Sequence, residues 1–415
     1  MSLKSLSKRL GPGVITGAAD DDPSGIATYS QAGAQTGFGL LWTVVLTWPM
    51  MVAVQSISAR IGRVTGRGLA ANMLDVFPRP VVGVLVALLF VANTVNIGAD
   101  LSAMGAAVKL AVGGSQHLYT ALFALGCLIG TVFIPYHRYV DVLKWLTFSL
   151  FAYVGIIFTV QLDWHEIVKG ALLPRFELSR ESLTLVVAVF GTTISPYLFF
   201  WQSSQEVEEE EANHEGSLLE TPDQAPRQLE RIAWETWAGM GMSNLVAFFI
   251  MLTTAATLHA SGQTDIQSTE QAAQALKPIA GDFAFALFSI GIVGTGLLAV
   301  PVLAGSVAYA AGELFAWPTG LEHPPQKARG FYGVIAAAIL LGIAVDLSPL
   351  DPIKALVWSA VVNGVIVVPV LVAMMIVASR AKQMGQFVAT RTQRIFGWLT
   401  TATMAIAAVA MFATM

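Results

Sequence analysis

The chain has 415 residues, of which 55% are hydrophobic and 12% charged, where an average soluble domain carries about 25% charged residues. Its 23 basic and 27 acidic side chains give a formal net charge of -4, so no basic surface for nucleic acid is expected. With a mean hydropathy of +0.66 and a single cysteine, Cys127, the composition excludes a soluble enzyme, a disulfide scaffold and a disordered chain. The main solvent is a lipid bilayer. The basic start at Lys4, Lys8 and Arg9 is followed by acidic residues rather than an uninterrupted apolar stretch, so no signal peptide is expected.

A spanning helix needs about 20 mostly apolar residues. Such stretches fall at roughly 10–32, 38–60, 81–112, 117–136, 142–162, 183–204, 232–258, 281–311, 330–348, 353–379 and 395–414, which predicts an all-α integral membrane protein of about eleven transmembrane helices. Most lysines and arginines, from Lys4 and Arg9 through Arg60, Arg63, Arg138, Lys144, Arg227 and Arg231 to Arg391 and Arg394, then share one side, against Lys109, Lys169, Arg175, Arg180, Lys277 and Lys354 on the other. The positive-inside rule makes this a multi-pass protein of the cell membrane with a cytoplasmic N-terminus and an external C-terminus.

Span 1 breaks the rules of a membrane helix. Gly11-Pro12-Gly13 opens it, and Asp20-Asp21-Asp22-Pro23-Ser24-Gly25 sits inside it. Pro23 lacks an N–H and the glycines weaken the helix on both sides, so a helix broken over Asp20–Gly25 is expected, with carbonyls freed beside carboxylates. In span 3, Asn93, Asn96 and Asp100 share one face at spacings of three and four. A lone carboxylate there is by default part of a proton relay or substrate path. Span 6 repeats the interruption in Gly191-Thr192-Thr193-Ile194-Ser195-Pro196-Tyr197, followed by Trp201-Gln202-Ser203. Broken segments at matching positions point to an inverted-repeat transporter, with repeats at about 10–162 and 183–379 and an extra helix at about 395–414.

The connection 206–223 carries Glu206, Glu208, Glu209, Glu210 and Glu211, and a like-charge run of this kind reads as a solvated loop. The stretch from Asp163 to Arg180 reads as an outer loop with a short surface helix. Asn244 and Asn363 read as helix–helix joints, Glu235 as interfacial, and none of His117, His137, His165 or His323 stands at metal-ligand spacing.

Carboxylates, backbone carbonyls and hydroxyls are hard ligands, suited to magnesium, calcium and manganese. No methionine, cysteine or histidine lies within either break. A cation is therefore the expected substrate.

Gly11-Pro12 through Asp22-Pro23, then Ala27-Thr28, Gln31-Ala32-Gly33, Gly37 and Leu40-Leu41-Trp42, resemble the first span of the Nramp family of divalent metal transporters. So do Gln55-Ser56, Ala59-Arg60-Ile61-Gly62 and Val64-Thr65-Gly66 in and after span 2. Ala99-Asp100-Leu101 resembles the family's third-span motif, and the Pro196 break its sixth. The resemblance implies a LeuT-like fold with a 5+5 inverted repeat and discontinuous helices 1 and 6. It implies alternating access and import of divalent cations, commonly coupled to protons.

Departures from the family pattern shape the site. The first break reads Asp22-Pro23-Ser24-Gly25 where the family has Asp-Pro-Gly-Asn. The second reads Ser195-Pro196-Tyr197 where it has Met-Pro-His, and a further family histidine matches Gln202. Asp100 is kept, the acidic residue three positions on is Ala103, and Asp20 and Asp21 are additions. The expected metal-site residues are Asp22, Ala19, Thr192, Ser195, Gly25 and Asp21, and the expected proton or ion pathway is Asp100, Asp20, Asn96, Tyr197 and Gln202. The loss of the sulfur and the added acids favour a hard ion of the Mn2+/Mg2+ class, as in the Nramp-related magnesium transporters, with proton coupling weak or absent. The metal is substrate, no cofactor or enzymatic reaction is expected, and the partners are that cation, the bilayer and in part protons. The alternative reading is a sodium-coupled symporter of a small organic solute on the same fold.

Overall fold

The computed structural model describes residues 11–134, 148–175, 179–347 and 351–414. Lys4, Lys8, Arg9, Arg138, His137 and Lys144, and the first residues of the fifth span, lie outside them.

Every regular element among the described residues is a helix. The elements are α1 (Pro12–Asp20), α2 (Pro23–Thr36), α3 (Leu41–Thr65), α4 (Leu69–Leu74), α5 (Arg79–Val112), α6 (Gln116–Phe133), α7 (Trp164–Leu172), α8 (Arg180–Thr193), α9 (Pro196–Ala212), α10 (Ala225–Thr257), α11 (Thr269–Gln274), α12 (Ala284–Phe315), α13 (Arg329–Asp346), α14 (Pro352–Ala378) and α15 (Arg391–Ala413). Single turns lie at Ile156–Thr159, Lys277–Ala280 and Ala381–Met384. Among the described residues, 8 helical stretches are long and apolar enough to cross a membrane, and Ser149–Thr159 and Arg329–Ala344 are shorter apolar helices. One of the eight, Pro23–Thr65, joins the second half of span 1 to span 2. It is interrupted at Gly37, whose φ of 60° and ψ of -129° suit glycine alone.

Both expected breaks are present and are built alike. After α1, Asp21 leaves helical geometry, and Asp22 in extended conformation caps α2 by accepting from the Gly25 N–H at 2.7 Å, with Pro23 in the first turn. After α8, Ser195 in extended conformation precedes Pro196 in the first turn of α9. Proline suits that place because the first helical N–H has no intrahelical acceptor to lose.

The broken helices lie in the centre. α10 packs on α1 and α2, α14 on α8, α9 on α3, and α5 is held between α12, α13 and α14. Two crossings depend on glycine pairs. Added Cβ atoms at Gly17 or Gly239 would run into the backbone of the facing helix, and the same holds for Gly191 and Gly364. Each broken helix is thus pressed directly onto a long neighbour. The outer helix expected after Asp163 is α7, with the Asp163 carboxylate capping it through the His165 and Glu166 N–H groups.

The reading of 206–223 as a solvated loop is corrected. Glu206, Glu208, Glu209, Glu210 and Glu211 continue α9 to Ala212, and Glu206 and Glu210 are buried. Arg231 of α10 binds Glu206, Glu209 and Glu235 at 2.5, 3.2 and 2.9 Å. Arg63 at the end of α3 binds Glu210 at 3.1 Å and also Glu215. Arginines distant in sequence make a like-charge run into a mixed network, so it need not stay solvated.

Candidate metal site

The three consecutive aspartates do not face one way. An α-helix turns side chains by about 100° per residue, and here the helix also ends inside the triad. Asp20 and Asp21 turn to α10: Ser243 Oγ lies 2.6 Å from Asp20 Oδ2 and 3.0 Å from Asp21 Oδ1. Asp22 turns to α5, where Asn96 Nδ2 donates to Asp22 Oδ2 at 3.2 Å and to Asp100 Oδ2 at 3.0 Å. The amide has two hydrogens and spends one on each carboxylate. Asn363 Nδ2 of α14 donates to Asn96 Oδ1 at 3.0 Å and so fixes which way that amide points.

All four aspartates are buried. Among the described residues none forms an ion pair with a lysine, arginine or histidine. Among the described residues, Asp20 Oδ1 and Asp100 Oδ1 have no hydrogen-bond partner. Ser243 has one hydrogen and so donates to only one of its two carboxylates. Buried charge of this kind needs a counter-charge, either a proton or a bound cation.

The second break supplies neutral oxygens. Thr192 Oγ1 lies 3.4 Å from Ser24 Oγ, and Tyr29 Oη lies 2.9 Å from Thr193 Oγ1. Gly25 leaves room here: a Cβ would stand 3.3 Å from Thr192 Oγ1 and 3.5 Å from Asp22 Oδ1. Ser195 Oγ donates back to the carbonyls of Gly191 and Thr192 at 2.7 and 3.0 Å, so its hydroxyl satisfies the end of α8. The Tyr197 hydroxyl donates to the Ala19 carbonyl at 3.1 Å and ties the two breaks together. Gln202 is buried further along α9, with neither amide atom partnered among the described residues.

Asp22, Gly25, Thr192, Asn96 and Asp100 therefore surround one point of the bundle. Asp20 and Asp21 lie on its α10 side, Tyr197 spans the breaks, and Gln202 stands apart. Among the described residues no three His, Cys, Asp or Glu side chains form a metal-binding group. An ion held here would need neutral oxygens or its own water beside the carboxylates. Ser243, Tyr29 and Thr193 were not among the expected site residues. Nothing in the sequence distinguishes them from other polar residues of apolar helices. Asn363 had the signal of a lone intramembrane amide, but its partner Asn96 is far away in sequence.

Two discontinuous helices crossing at buried carboxylates, in a bundle of long apolar helices, define a multi-pass membrane transporter of the LeuT-like class. A family model described as "Natural resistance-associated macrophage protein-like" matches residues 13–414, and the chain belongs to this Nramp family, whose members are transporters and not enzymes. It is 29% identical over 400 residues to a "Divalent metal cation transporter MntH" of Klebsiella pneumoniae, covering 94% of this chain and 90% of that protein. Its fold is similar to that of the solved manganese transporter of Eremococcus coleocola, with a TM-score of 0.77 at 18% identity over 98% of this chain and 86% of that one. MhsT, solved with L-phenylalanine, is a more distant likeness with a TM-score of 0.62 at 12% identity, covering 97% and 98%.

Proposed function

We propose that this protein imports divalent metal cations of the Mn2+/Mg2+ class by alternating access, with proton coupling weak or absent. The carrying observation is the group of four buried aspartates that have no basic partner among the described residues. A divalent ion provides the missing positive charge, and oxygen ligands favour a hard one. The Klebsiella relative's name supports the same reading. Asp22 is the central ligand, with Asp21, Thr192, the Ala19 carbonyl, Gly25 and Ser195 around it. Asp100, Asp20, Asn96, Tyr197 and Gln202 line the ion or proton path. The repeats run over about 10–162 and 183–379, with the N-terminus cytoplasmic.

Weak proton coupling follows from side-chain chemistry. Carriers must titrate near neutral pH, as histidine does. Tyr197, Gln202 and Ala103 stand where the family has titratable groups. Sodium-coupled symport of an organic solute is the competing reading, and sodium neutralises only one carboxylate. Uptake of Mg2+, Mn2+, Ca2+ and Cd2+ into proteoliposomes, with and without sodium, separates the two. Sodium-independent uptake of Mn2+ or Mg2+ is expected, and its absence overturns the proposal.

A further inference from the structure

A second set of buried polar groups lies away from the breaks, where α1 begins. Arg231 of α10 is shared by Glu206 and Glu209 of α9 and by Glu235, its own neighbour one turn along α10. Arg231 Nε also donates to Gln228 Oε1 at 2.9 Å, and Gln228 Nε2 to Glu215 Oε2 at 2.8 Å. Glu215 in turn binds Arg63 and Arg227, and Arg63 binds Glu210. The network has five glutamates against the three arginines 63, 227 and 231. With every carboxylate ionised, the network has a formal charge of -2, which one divalent cation would balance.

Two observations outside these ion pairs point into the same place. Glu206 is completely buried, and although Oε2 meets Arg231, Oε1 has no hydrogen-bond partner among the described residues. One turn closer to the Pro196 break, Gln202 is also completely buried, and neither Oε1 nor Nε2 has a hydrogen-bond partner among the described residues. Residues at i and i+4 lie on one helix face, so α9 presents Gln202 and then Glu206 along a line from the break to the network. The Glu235 carboxylate closes the other side, lying against Gly11 where α1 starts.

We propose that Gln202, Glu206 and Glu235 form a second station for a divalent cation, between the Asp22 site and the end of the bundle where α1 begins. Arg231 holds the two carboxylates while the station is empty. It is 22% exposed where Glu206 is 0% exposed, so an arriving ion takes the inner position and Arg231 keeps Glu209 and Gln228 at the rim. Because Glu235 also touches the start of α1, occupancy loosens one contact between the first residues of α1 and α10. This station rests on the metal-transport reading and gives it a defined exit.

The test is equilibrium binding of Mn2+ and of Mg2+ to the purified full-length chain. Asp22→Ala, which silences the central site, is expected to keep one weaker divalent site. Adding Glu206→Gln or Glu235→Gln should weaken that site about tenfold or more, the scale of one lost charged contact, whereas Glu211→Gln on the exposed helix end should not. Glu206→Gln alone should keep the central site while slowing uptake. If Asp22→Ala binds no divalent ion, or keeps a site indifferent to both glutamine variants, the station does not exist and the orphaned Glu206 oxygen simply carries a proton. Either result leaves the Asp22 site intact. Failure of the wild type to bind or take up either ion sinks the transport reading itself.

Discussion

Asp22 is a helix cap as well as the proposed central ligand, since one oxygen holds the Gly25 N–H and the other meets Asn96. Asp22→Ala is expected to abolish metal uptake and to cost about 1 kcal/mol for the lost cap, leaving a monodisperse protein. Wild-type uptake by that variant removes Asp22 from the site. Ser195 tests selectivity. A thioether prefers softer metals, so Ser195→Met should raise Cd2+ and Mn2+ affinity relative to Mg2+, and a flat ratio in competition uptake shows that position 195 does not face the ion. Gly25 tests space. Its added Cβ would crowd Thr192 Oγ1 and the Tyr29 ring, each at 3.3 Å, so Gly25→Ala should lower ion affinity, measured by equilibrium binding, and unchanged affinity would show that the ion does not sit beside position 25.

The broken helices work as elements because their neighbours are pressed so close. At Gly239 a Cβ would meet the Gly13 carbonyl oxygen and the Val14 backbone, groups that have no rotamer to move into. Gly239→Ala is therefore expected to push α1 off α10 and to lower thermal stability by more than the same change at Gly83, where a Cβ has nothing within 4 Å. Equal melting shifts would show that the α1–α10 crossing is not tight. At this scale the sequence was informative about interruption and poor about continuation. Pro23 and Pro196 mark both breaks because proline has no N–H to give. The end of α9 is not legible in the sequence because a run of glutamates looks solvated until Arg63 and Arg231 are brought beside it.

For the whole molecule, metal binding and stability are linked. A ligand that binds only the folded state adds about 2.7 kcal/mol at 100 times its Kd, so saturating Mn2+ or Mg2+ should raise the melting temperature of the wild type. Asp22→Ala should lose most of that shift, and an equal shift in both proteins would place the stabilising ion elsewhere. Proton movement is also a property of the whole path. With a pH-sensitive dye inside proteoliposomes, metal uptake should leave the lumen close to its starting pH. Metal-driven acidification that disappears in Asp100→Asn would show that one carboxylate suffices as a relay.

The sequence by itself determined that this chain lives in a membrane, where its helices break, and that carboxylates sit at one break. Hydropathy, proline and glycine act locally, and the cost of burying charge in lipid marks the exceptions. Only the tertiary structure decided how those carboxylates are divided. The end of α1 within the triad sends Asp20 and Asp21 to Ser243 and Asp22 to Asn96, and Asn363 from α14 sets the amide that joins Asp22 to Asp100. These partners come from helices far apart in the chain. Their meeting depends on how the helices pack, which no local pattern in the sequence encodes.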